Sequence, residues 1–387
     1  MKFLRMYLSI KNRILLISHT GKLYGANRNN IKIAESLIKF NYQVIFFAPM
    51  KDEFCDYLKF SNIRHYSFNR INRYPYWVKL KKKNLLISVF DIIRKYTSLI
   101  SSFFLTIYLR PEVIISLSST INIGAVTARI LKIKHIWYLQ EFTEEDFNYK
   151  FPGGTMAGYK YILKHSQRVI TISGSLQNKI IKILPGSKGK IVTILNGISD
   201  LQIQKLTQTN ETLKLLFVGR LSEGKRPFDA VLAIKHLKET YNIDVNLVMV
   251  GEGIERARLE SYIENNNLHH SITLEGFQDN IVPFLSACHI GLMCSEMEAF
   301  GLVTIEYMMG KMPVIGSNTG ATNELIEHMV NGFLYPPGNY LELARHIKYF
   351  FDNPREIERM GNNGYNLFKE KYLTNNFDKL HEVIVNI

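Results

Sequence analysis

Two glutamates eight residues apart frame the start of the segment MEAFGLVTIEYMMGKMPVIG, residues 297–316. Glu298 precedes Phe300 and Gly301, and Glu306 lies inside the helix that we expect to begin near Gly301. The free backbone N–H groups and the dipole at a helix start favour a bound phosphate. Ionised carboxylates only accept hydrogen bonds, which suits them to sugar hydroxyls. The segment therefore predicts that Glu298 binds a sugar and Glu306 a ribose; the alternative is a cap and a solvated helix residue.

Basic residues follow the apolar run LKLLFVGRL, residues 213–221. Gly219 allows a sharp turn, Arg220 can hold a phosphate through two hydrogen bonds, and Lys225 adds a compact charge before a helix start. Together they predict a clamp for a diphosphate. Taken alone, this segment is equally consistent with a solvated basic loop.

A glycine-containing loop, SHTGKLYGANRNN, follows the first apolar run. Gly21 and Gly25 permit close approach of the backbone, and we expect Asn27 and Arg28 to face a binding cleft. The spacing departs from G-x-G-x-x-G. We therefore interpret these four residues as an acceptor-side or phosphate-side loop.

The elements that must position these residues follow from apolar runs such as RILLISHT, YQVIFFAP, EVIISLSS, LKLLFVGRL and VNLVMVGEG. Runs that are apolar at nearly every position are typical of parallel strands covered by helices on both faces. The alternation stops in the polar stretch SDLQIQKLTQTNET and then restarts. A chain of 387 residues also exceeds one ordinary core. The sequence predicts two doubly wound α/β domains, with ligands at the carboxyl ends of their strands.

The positive charge is concentrated in one half of the chain. Residues 1–200 contain 31 Lys and Arg against 11 Asp and Glu, a net charge of +20, whereas residues 201–387 contain 17 against 23, a net charge of −6. This polarity favours an anionic partner for the first half. No RNA- or DNA-binding motif accompanies it, so we expect no nucleic-acid partner.

Residues 73–110 combine aromatic residues and lysines with an apolar helical run, which is typical of a segment at a membrane surface. Charges interrupt the run, so a transmembrane span is not expected. The alternative is a helix packed on the domain beside solvated lysines. The aromatic and basic residues concerned are Tyr74, Tyr76, Trp77, Lys79, Lys81, Lys82 and Lys83.

The cysteines are few and lack a paired spacing, which indicates reduced thiols. The N-terminal stretch has no apolar core of a secretory signal. We expect a cytoplasmic protein, peripheral at the inner face of the membrane.

The segment EAFGLVTIE resembles the E-x7-E element of the family 4 glycosyltransferases, and FVGRLSEGK, VGEG, LEGF and GATNELI follow that family's order and spacing. LYGANRNNIKIAESL, TISGSL and ILNGI do so in the first half, so the resemblance runs over most of the chain. It implies a GT-B fold, in which two Rossmann-like domains face across a cleft. The implied division is an acceptor domain over 1–200, a nucleotide-sugar domain over 201–370, and a C-terminal helix over 371–387 that crosses back.

Carried onto this chain, the resemblance implies that Arg220 and Lys225 hold the donor diphosphate and that Glu298 contacts sugar hydroxyls. The remaining implied donor contacts are Gly219, Gly276, Phe277, Phe300, Gly301, Leu302, Val303 and Glu306, with Gly276 and Phe277 flanking the base. Sugar transfer would retain the anomeric configuration and need no metal. The chain itself has no Asp-x-Asp after a strand-like run, which agrees with that implication.

One departure from the family concerns the end of KHIWYLQEF. Many relatives have a histidine there that contacts the transferred sugar, whereas this chain has Gln140 followed by Glu141. A glutamine can bind a hydroxyl but cannot carry a proton or a charge. Gln140 and Glu141 are therefore acceptor-side candidates.

The sequence thus predicts a retaining, metal-independent glycosyltransferase without a cofactor. A UDP- or GDP-sugar would be the donor, and a lipid-linked or polysaccharide acceptor would receive the sugar. The alternative is a catalytically inactive homologue that serves as a binding partner or scaffold. An epimerase or a phosphorylase of GT-B fold is a third possibility.

Overall fold

The computed structural model describes residues 12–21, 25–48, 52–67, 78–80, 87–146, 149–205, 212–373 and 376–387. The chain divides into two compact units. The first contains Met1–Asn196 and Asn375–Ile387, and the second contains Gly197–Thr374. The second unit is therefore continuous in sequence and the first is not.

A seven-stranded parallel sheet forms the centre of the first unit, in the order β3-β2-β1-β5-β6-β8-β9, and β4 pairs with β7 as a short antiparallel ribbon. The strands are β1 Arg13–Ile17, β2 Gln43–Ala48, β3 Arg64–Ser67, β4 Lys79–Leu80, β5 Val113–Ser116, β6 Lys134–Leu139, β7 Tyr149–Lys150, β8 Arg168–Thr171 and β9 Ile191–Thr193.

Helices alternate with these strands. They are α1 Gly25–Lys39, α2 Glu53–Phe60, α3 Ile87–Leu109, α4 Ile123–Leu131, α5 Thr143–Asp146, α6 Thr155–Lys164 and α7 Gly174–Ile183, with a 3-10 turn at Pro185–Lys190. Local signals set their ends: Ser173 caps α7 by accepting from the Leu176 N–H at 3.3 Å, and Lys132 ends α4 in the left-handed conformation.

The second unit contains a six-stranded parallel sheet in the order β12-β11-β10-β13-β14-β15. Its strands are β10 Lys214–Val218, β11 Asn246–Val250, β12 Ile272–Gly276, β13 Ile290–Met293, β14 Val314–Ser317 and β15 Gly332–Tyr335. Its helices are α8 Pro227–Tyr241, α9 Arg256–Asn265, α10 Val282–Ala287, α11 Leu302–Met309, α12 Thr322–Leu325, α13 Tyr340–Asp352 and α14 Arg355–Lys371, with a 3-10 turn at Glu223–Lys225.

The central strands are buried along nearly their whole length, as in the Ile14–Ile17 and Val113–Ser116 segments. This burial on both faces explains the continuous apolar runs of the sequence and confirms the predicted α/β class with two doubly wound sheets. Four strands have no predicted counterpart: β3, with the polar sequence RHYS, β15, with GFLY, and the two-residue strands β4 and β7. β3 is a half-exposed edge strand, so it needs no continuous apolar run.

A last helix, α15 at Asp378–Val385, returns to the first unit and packs against α1. Ser36 Oγ donates to Asp378 Oδ1 at 2.8 Å, and the Phe40 and His381 rings stack with centroids 4.2 Å apart. His381 Nδ1 also lies 3.1 Å from the Tyr42 hydroxyl oxygen. These contacts attach the end of the chain to the first helix of the described structure.

Helix α3 has an unusual distribution of polarity. Its buried positions include Ser98, Ser102 and Thr106, and Thr127 on α4 donates to Ser102 Oγ at 3.0 Å. Its exposed positions include large apolar side chains at near-helical spacing: Tyr96, Ile100, Phe104, Ile107 and Tyr108, which are 44–68% exposed. We call these five residues the α3 stripe. Among the described helices, none is long and apolar enough to span a membrane.

The other predicted parts of the membrane-surface segment cannot be placed. Tyr74, Tyr76, Trp77 and Lys81–Lys83 lie outside the described residues, as does the side chain of Lys79.

Candidate functional site

Backbone contacts join the loops at the carboxyl edge of the second sheet. The Gly219 N–H donates to Val250 O at 3.0 Å, and the Gly251 N–H donates to Gly276 O at 2.7 Å. A Cβ on Gly251 would lie 1.9 Å from Gly219 O, and Gly251 has φ +142°. Only glycine fits this position. The loops after β10, β11 and β12 therefore form one close-packed rim.

Lys225 and Glu298 join this rim to the loop after β13. Lys225 Nζ donates to Glu298 Oε2 at 2.6 Å, and the two side chains are 27% and 18% exposed. The Glu296 N–H donates to Gly224 O at 2.9 Å, so the two loops are also joined through their backbones. The ammonium group is held in place but remains accessible to solvent.

The other two cations of the basic loop differ in their surroundings. Arg220 is exposed directly after the end of β10. Arg226 donates to both carboxylate oxygens of Asp229, at 2.8 and 3.2 Å, and the Gly338 N–H donates to the same carboxylate at 3.0 Å. The Asp229 carboxylate thus joins Arg226 of the basic loop to the turn before α13.

Glu298 is held through its backbone by the loop after β14. The Ala321 N–H donates to Glu298 O at 2.7 Å. Gly320 has φ +53°, and a Cβ there would lie 2.4 Å from Glu298 O. The sequence does not predict this role of Gly320 and Ala321, although GATNELI is among the segments that carry the resemblance.

Gly301 caps helix α11 with φ +86°, and the helix begins at Leu302, as predicted. A Cβ on Gly301 would lie 2.8 Å from Leu325 Cδ1. Along the helix, Leu302, Val303 and Glu306 are half-buried, whereas its other five residues are buried. Glu306 is four residues after Leu302, which is about 6 Å along the helix axis. The accessible face of α11 therefore consists of the three helical residues predicted to bind the donor.

Two phenylalanines of the predicted site have opposite surroundings. Phe300 is buried, with its ring edge against Tyr372 at a centroid distance of 6.0 Å. Its ring is therefore not accessible to a ligand. Phe277 follows β12 and is 60% exposed, and Gly276 before it has φ +71°.

Tyr307, a buried residue of α11, connects the helix to β10. The Val218 N–H donates to the Tyr307 hydroxyl oxygen at 2.8 Å, and burial raises the pKa of Tyr307 well above its usual value. A Cβ on Gly291 would lie 2.2 Å from the Tyr307 ring. Tyr307 thus fixes the start of the basic loop relative to α11. No sequence pattern had indicated this contact.

In the first unit, Asn27 organises the loop after β1. Asn27 is fully buried, and its Oδ1 accepts from Ser18 Oγ at 2.9 Å and from Asn30 Nδ2 at 2.8 Å. Its Nδ2 donates to Thr20 O at 2.9 Å. The predicted neighbour Arg28 is exposed on α1.

The two predicted glycines lie at either side of this loop. Gly21 is buried and its carbonyl oxygen accepts from the Phe54 N–H at 3.0 Å, while Gly25 is the first residue of α1.

Gln140 and Glu141 are buried after β6 and bind neighbouring elements. Gln140 Nε2 donates to Asn30 Oδ1 at 2.7 Å and to Leu117 O at 3.0 Å. Glu141 Oε1 accepts from the Ser118 hydroxyl at 2.7 Å and from the N–H and hydroxyl of Ser119 at 2.5 and 2.6 Å. Both side chains therefore stabilise the carboxyl edge of the first sheet.

His19 joins this polar group, and the sequence had not indicated it. Burial lowers its pKa, and the charge of Glu141 acts in the opposite direction. Two buried atoms, His19 Nδ1 and Gln140 Oε1, have no hydrogen-bond partner among the described residues. They are available to a ligand with a donor or acceptor.

Among the described residues, no group of three or more His, Cys, Asp or Glu is arranged to hold a metal ion. The thiols of Cys55, Cys288 and Cys294 are buried, and none of them forms a disulfide. Burial raises the pKa of the Cys288 thiol to about 11 and that of Cys294 to about 12. Both are therefore protonated at neutral pH and are poor nucleophiles.

Comparison with known proteins identifies the second unit. Residues 199–367 match the family model described as "Glycosyl transferases group 1". An uncharacterized glycosyltransferase of Methanocaldococcus jannaschii is 27% identical over 250 residues, covering 64% of this chain and 67% of that protein. N-acetyl-alpha-D-glucosaminyl L-malate synthase of Bacillus anthracis is 25% identical over 235 residues, covering 57% of this chain and 61% of that enzyme. This chain therefore spans about three fifths to two thirds of these relatives.

Solved structures extend the similarity of fold to nearly the whole chain. The crystal structure of Anabaena HepE in complex with UDP-glucose is similar, with a TM-score of 0.77 at 18% sequence identity. The matched region covers 97% of this chain and 100% of the HepE chain. The two-sheet architecture is thus that of GT-B glycosyltransferases. Residues 199–367 are therefore similar to glycosyl transferases group 1, and nearly the whole chain is similar in fold to solved GT-B structures.

Proposed function

We propose that this enzyme transfers a sugar from a UDP- or GDP-sugar, with retention of configuration and without a metal or cofactor. The acceptor is a lipid-linked or polysaccharide glycan at the cytoplasmic face of the membrane. The observation that carries the donor half of this proposal is the 2.6 Å hydrogen bond between Lys225 and Glu298. It brings a cation and a carboxylate together in the unit that also contains the accessible start of α11.

The donor diphosphate would be held by Arg220, Lys225 and the N–H groups at the start of α11. Lys225 is already oriented by Glu298, so little side-chain freedom would be lost when phosphate binds. The helix start adds about half a positive charge. These groups match a ligand with two adjacent phosphates better than they match a neutral sugar.

The rest of the donor would bind around this diphosphate. Because Glu298 Oε2 accepts from Lys225, we assign Oε1 to a sugar hydroxyl. Glu306 on the accessible face of α11 would bind the ribose, and exposed Phe277 would stack on the base. The HepE structure, which contains UDP-glucose, supports a uridine nucleotide as the first candidate.

Catalysis would depend on stabilising the leaving group. As the bond between the sugar and phosphate breaks, negative charge grows on the diphosphate, where Arg220 and Lys225 are positioned in advance. The acceptor hydroxyl oxygen forms the new bond to the anomeric carbon from the same face. Its proton passes to the departing phosphate oxygen, so no covalent enzyme intermediate is needed.

Two features of the first unit support an acceptor at an anionic membrane. Residues 1–200 have a net charge of +20. The α3 stripe exposes aromatic and aliphatic side chains while Ser98, Ser102 and Thr106 on the same helix are buried. Such a helix is suited to lie in the interface of a bilayer, with its apolar side toward the lipid.

A thermal-shift screen of nucleotide sugars tests the donor assignment. At 100 times its dissociation constant, the correct donor should stabilise the protein by about 2.7 kcal/mol. Turnover is then measured with Arg220→Ala and Lys225→Met, and with Lys238→Met on α8 as a charge-matched control. If the native chain binds the donor but transfers no sugar to any glycan acceptor, the result would instead support the alternative that the protein is a catalytically inactive homologue.

Vesicle flotation tests the membrane assignment separately. We expect the native chain to float with phosphatidylglycerol vesicles. A double variant that carries both Ile100→Ser and Phe104→Ser should not float. Both positions are exposed, so the substitutions should leave the fold intact. Equal flotation of the native and substituted proteins would exclude the α3 stripe as the contact surface.

A further inference from the structure

A basic cavity of about 270 Å³ lies at the amino edge of the first sheet, opposite the edge where the candidate site residues cluster. It lies beside the starts of β6 and β8, where the C-terminal ends of α4 and α6 meet. Its wall includes Arg129, Lys164, His165 and Lys190, and none of the described residues that line it is acidic. Arg129, Lys164 and Lys190 therefore concentrate positive charge here, beside the negative dipole ends of α4 and α6.

A second cavity, of about 370 Å³, adjoins the first because Lys190 lines both. Its wall is largely apolar, with Leu163, Leu184 and Pro185, and Lys160 at its rim. Ser187 also lines it, is 7% exposed, and has a hydroxyl without a hydrogen-bond partner among the described residues. An unpaired buried hydroxyl costs free energy unless a ligand or water binds it.

The cations of this region are not neutralised by acidic side chains. Among the described residues, Arg129, Lys164 and Lys190 make no ion pair; Lys190 Nζ donates instead to the carbonyl oxygen of Leu163. Burial lowers the pKa of His165, and the charges of Arg129, Lys164 and Lys190 lower it further. His165 thus reports on the same positive field.

We propose that these two cavities form one binding site for a phosphate-bearing amphiphile. The phosphate lies in the first cavity against Arg129 and Lys190, and the apolar group lies in the second against Leu163 and Leu184. The Ser187 hydroxyl would donate to the ester oxygen that joins the phosphate to the apolar group. Planar Arg129 suits two phosphate oxygens, whereas Lys190 supplies a point charge. The source of the group is either a membrane lipid or a soluble phosphate compound. The inference is independent of the transfer reaction proposed for the donor site.

The pKa of His165, measured by NMR with and without ligand, reports on this site alone. Inorganic phosphate and n-hexyl phosphate are titrated into the full chain. A bound phosphate dianion should raise the pKa of His165, and hexyl phosphate should act at lower concentration than inorganic phosphate. Arg129→Gln and Lys190→Gln should each weaken binding by about tenfold, the expected effect of losing one charge-assisted hydrogen bond.

Lys188→Gln is the matched control, because Lys188 is exposed in the same 3-10 turn as Lys190 but does not line either cavity. Ser187→Ala should weaken hexyl phosphate without destabilising the protein. Flotation of these variants with phosphatidylglycerol and phosphatidylcholine vesicles distinguishes the sources. Loss of flotation in both Arg129→Gln and Lys190→Gln, with flotation kept in Lys188→Gln, identifies the lipid. If a high concentration of hexyl phosphate leaves the pKa of His165 unchanged, the proposal is wrong. Binding of the donor nucleotide should be the same in all of these variants and in the native protein.

Discussion

Lys225 on the loop after β10 donates from Nζ to Oε2 of Glu298 on the loop after β13, at 2.6 Å. The two residues are 73 positions apart in the chain, and their strands are neighbours in the sheet. A phosphate that binds Lys225 must compete with the Glu298 carboxylate. Glu298 therefore orients the Lys225 ammonium group and also competes with a phosphate for it.

Substitution Glu298→Gln should separate nucleotide binding from sugar transfer. Loss of the negative charge removes repulsion of the diphosphate and leaves Lys225 to the phosphate, so the nucleoside diphosphate should bind equally well or a few-fold more tightly. Transfer should fall about 10²- to 10³-fold if a charge-assisted contact to the sugar is lost in the transition state. Calorimetry and nucleotide-release kinetics measure the two effects. Glu264→Gln, on the exposed face of α9, is the control, and weaker nucleotide binding in Glu298→Gln would contradict this account.

Substitution Gly301→Ala should destabilise the second unit. An L-residue in the left-handed conformation costs about 1–2 kcal/mol, and the added Cβ would also contact Leu325. Donor affinity should fall as well, because the start of α11 must shift. Urea denaturation gives the stability change. Gly189→Ala, where the new Cβ has no neighbour within 4 Å and φ is not positive, should change stability by less than about 0.5 kcal/mol.

Stability of the first unit should depend on pH through His135. Burial lowers the pKa of His135 from 6.5 to about 3, while Nδ1 lies 2.9 Å from His165 O and Nε2 lies 3.0 Å from Ser116 Oγ. A carbonyl only accepts, so Nδ1 carries the proton and Nε2 accepts from the serine. The folded state keeps this histidine neutral, whereas the unfolded chain gains a proton below pH 6.5.

The stabilisation linked to His135 is therefore complete above pH 6.5 and is lost as pH falls toward about 3. When the pH is lowered from 7 to 5, the free energy of unfolding of the native protein should decrease by about 2 kcal/mol more than that of His135→Gln. Urea denaturation at both pH values gives the comparison. His236→Gln on α8 serves as the control, and parallel losses in the native and His135→Gln proteins would disprove the assignment.

Substitution His381→Ala should destabilise the first unit and leave the second unchanged. The change removes the stack with Phe40 and the hydrogen bond to Tyr42, for an expected loss of about 1–3 kcal/mol. Hydrogen exchange resolves the two units, with increased exchange expected in α1. Lys379→Ala on the exposed side of α15 should have no such effect, and increased exchange confined to the second unit would argue against the observed docking.

The sequence predicted the central strands well because they are buried on both faces, and it predicted the start of α11 because Gly301 must adopt a positive φ. It did not predict β3, since the polar edge sequence Arg64–Ser67 has little apolar signal. The Lys225–Glu298 hydrogen bond also required the structure, because the strand order that brings β10 beside β13 is not encoded in local periodicity.

The candidate site residues of the first unit were less predictable than those of the second. Asn27 was expected to face a cleft, but it is buried and fastens the loop after β1 through three hydrogen bonds. Gln140 is similarly bound to Asn30 and Leu117. Amides of this kind serve structural and ligand contacts equally well, so only their surroundings distinguish the two roles.

The return of α15 to the first unit has a consequence for biosynthesis. A ribosome synthesises all of the second unit before Asp378–Val385 emerges, so the second unit can fold while the first still lacks its last helix. The face of α1 that accepts Asp378 and His381 remains uncovered during that interval, and a chaperone could bind it. Emergence of α15 from the ribosome, rather than formation of either sheet, would then be the event that completes the first unit.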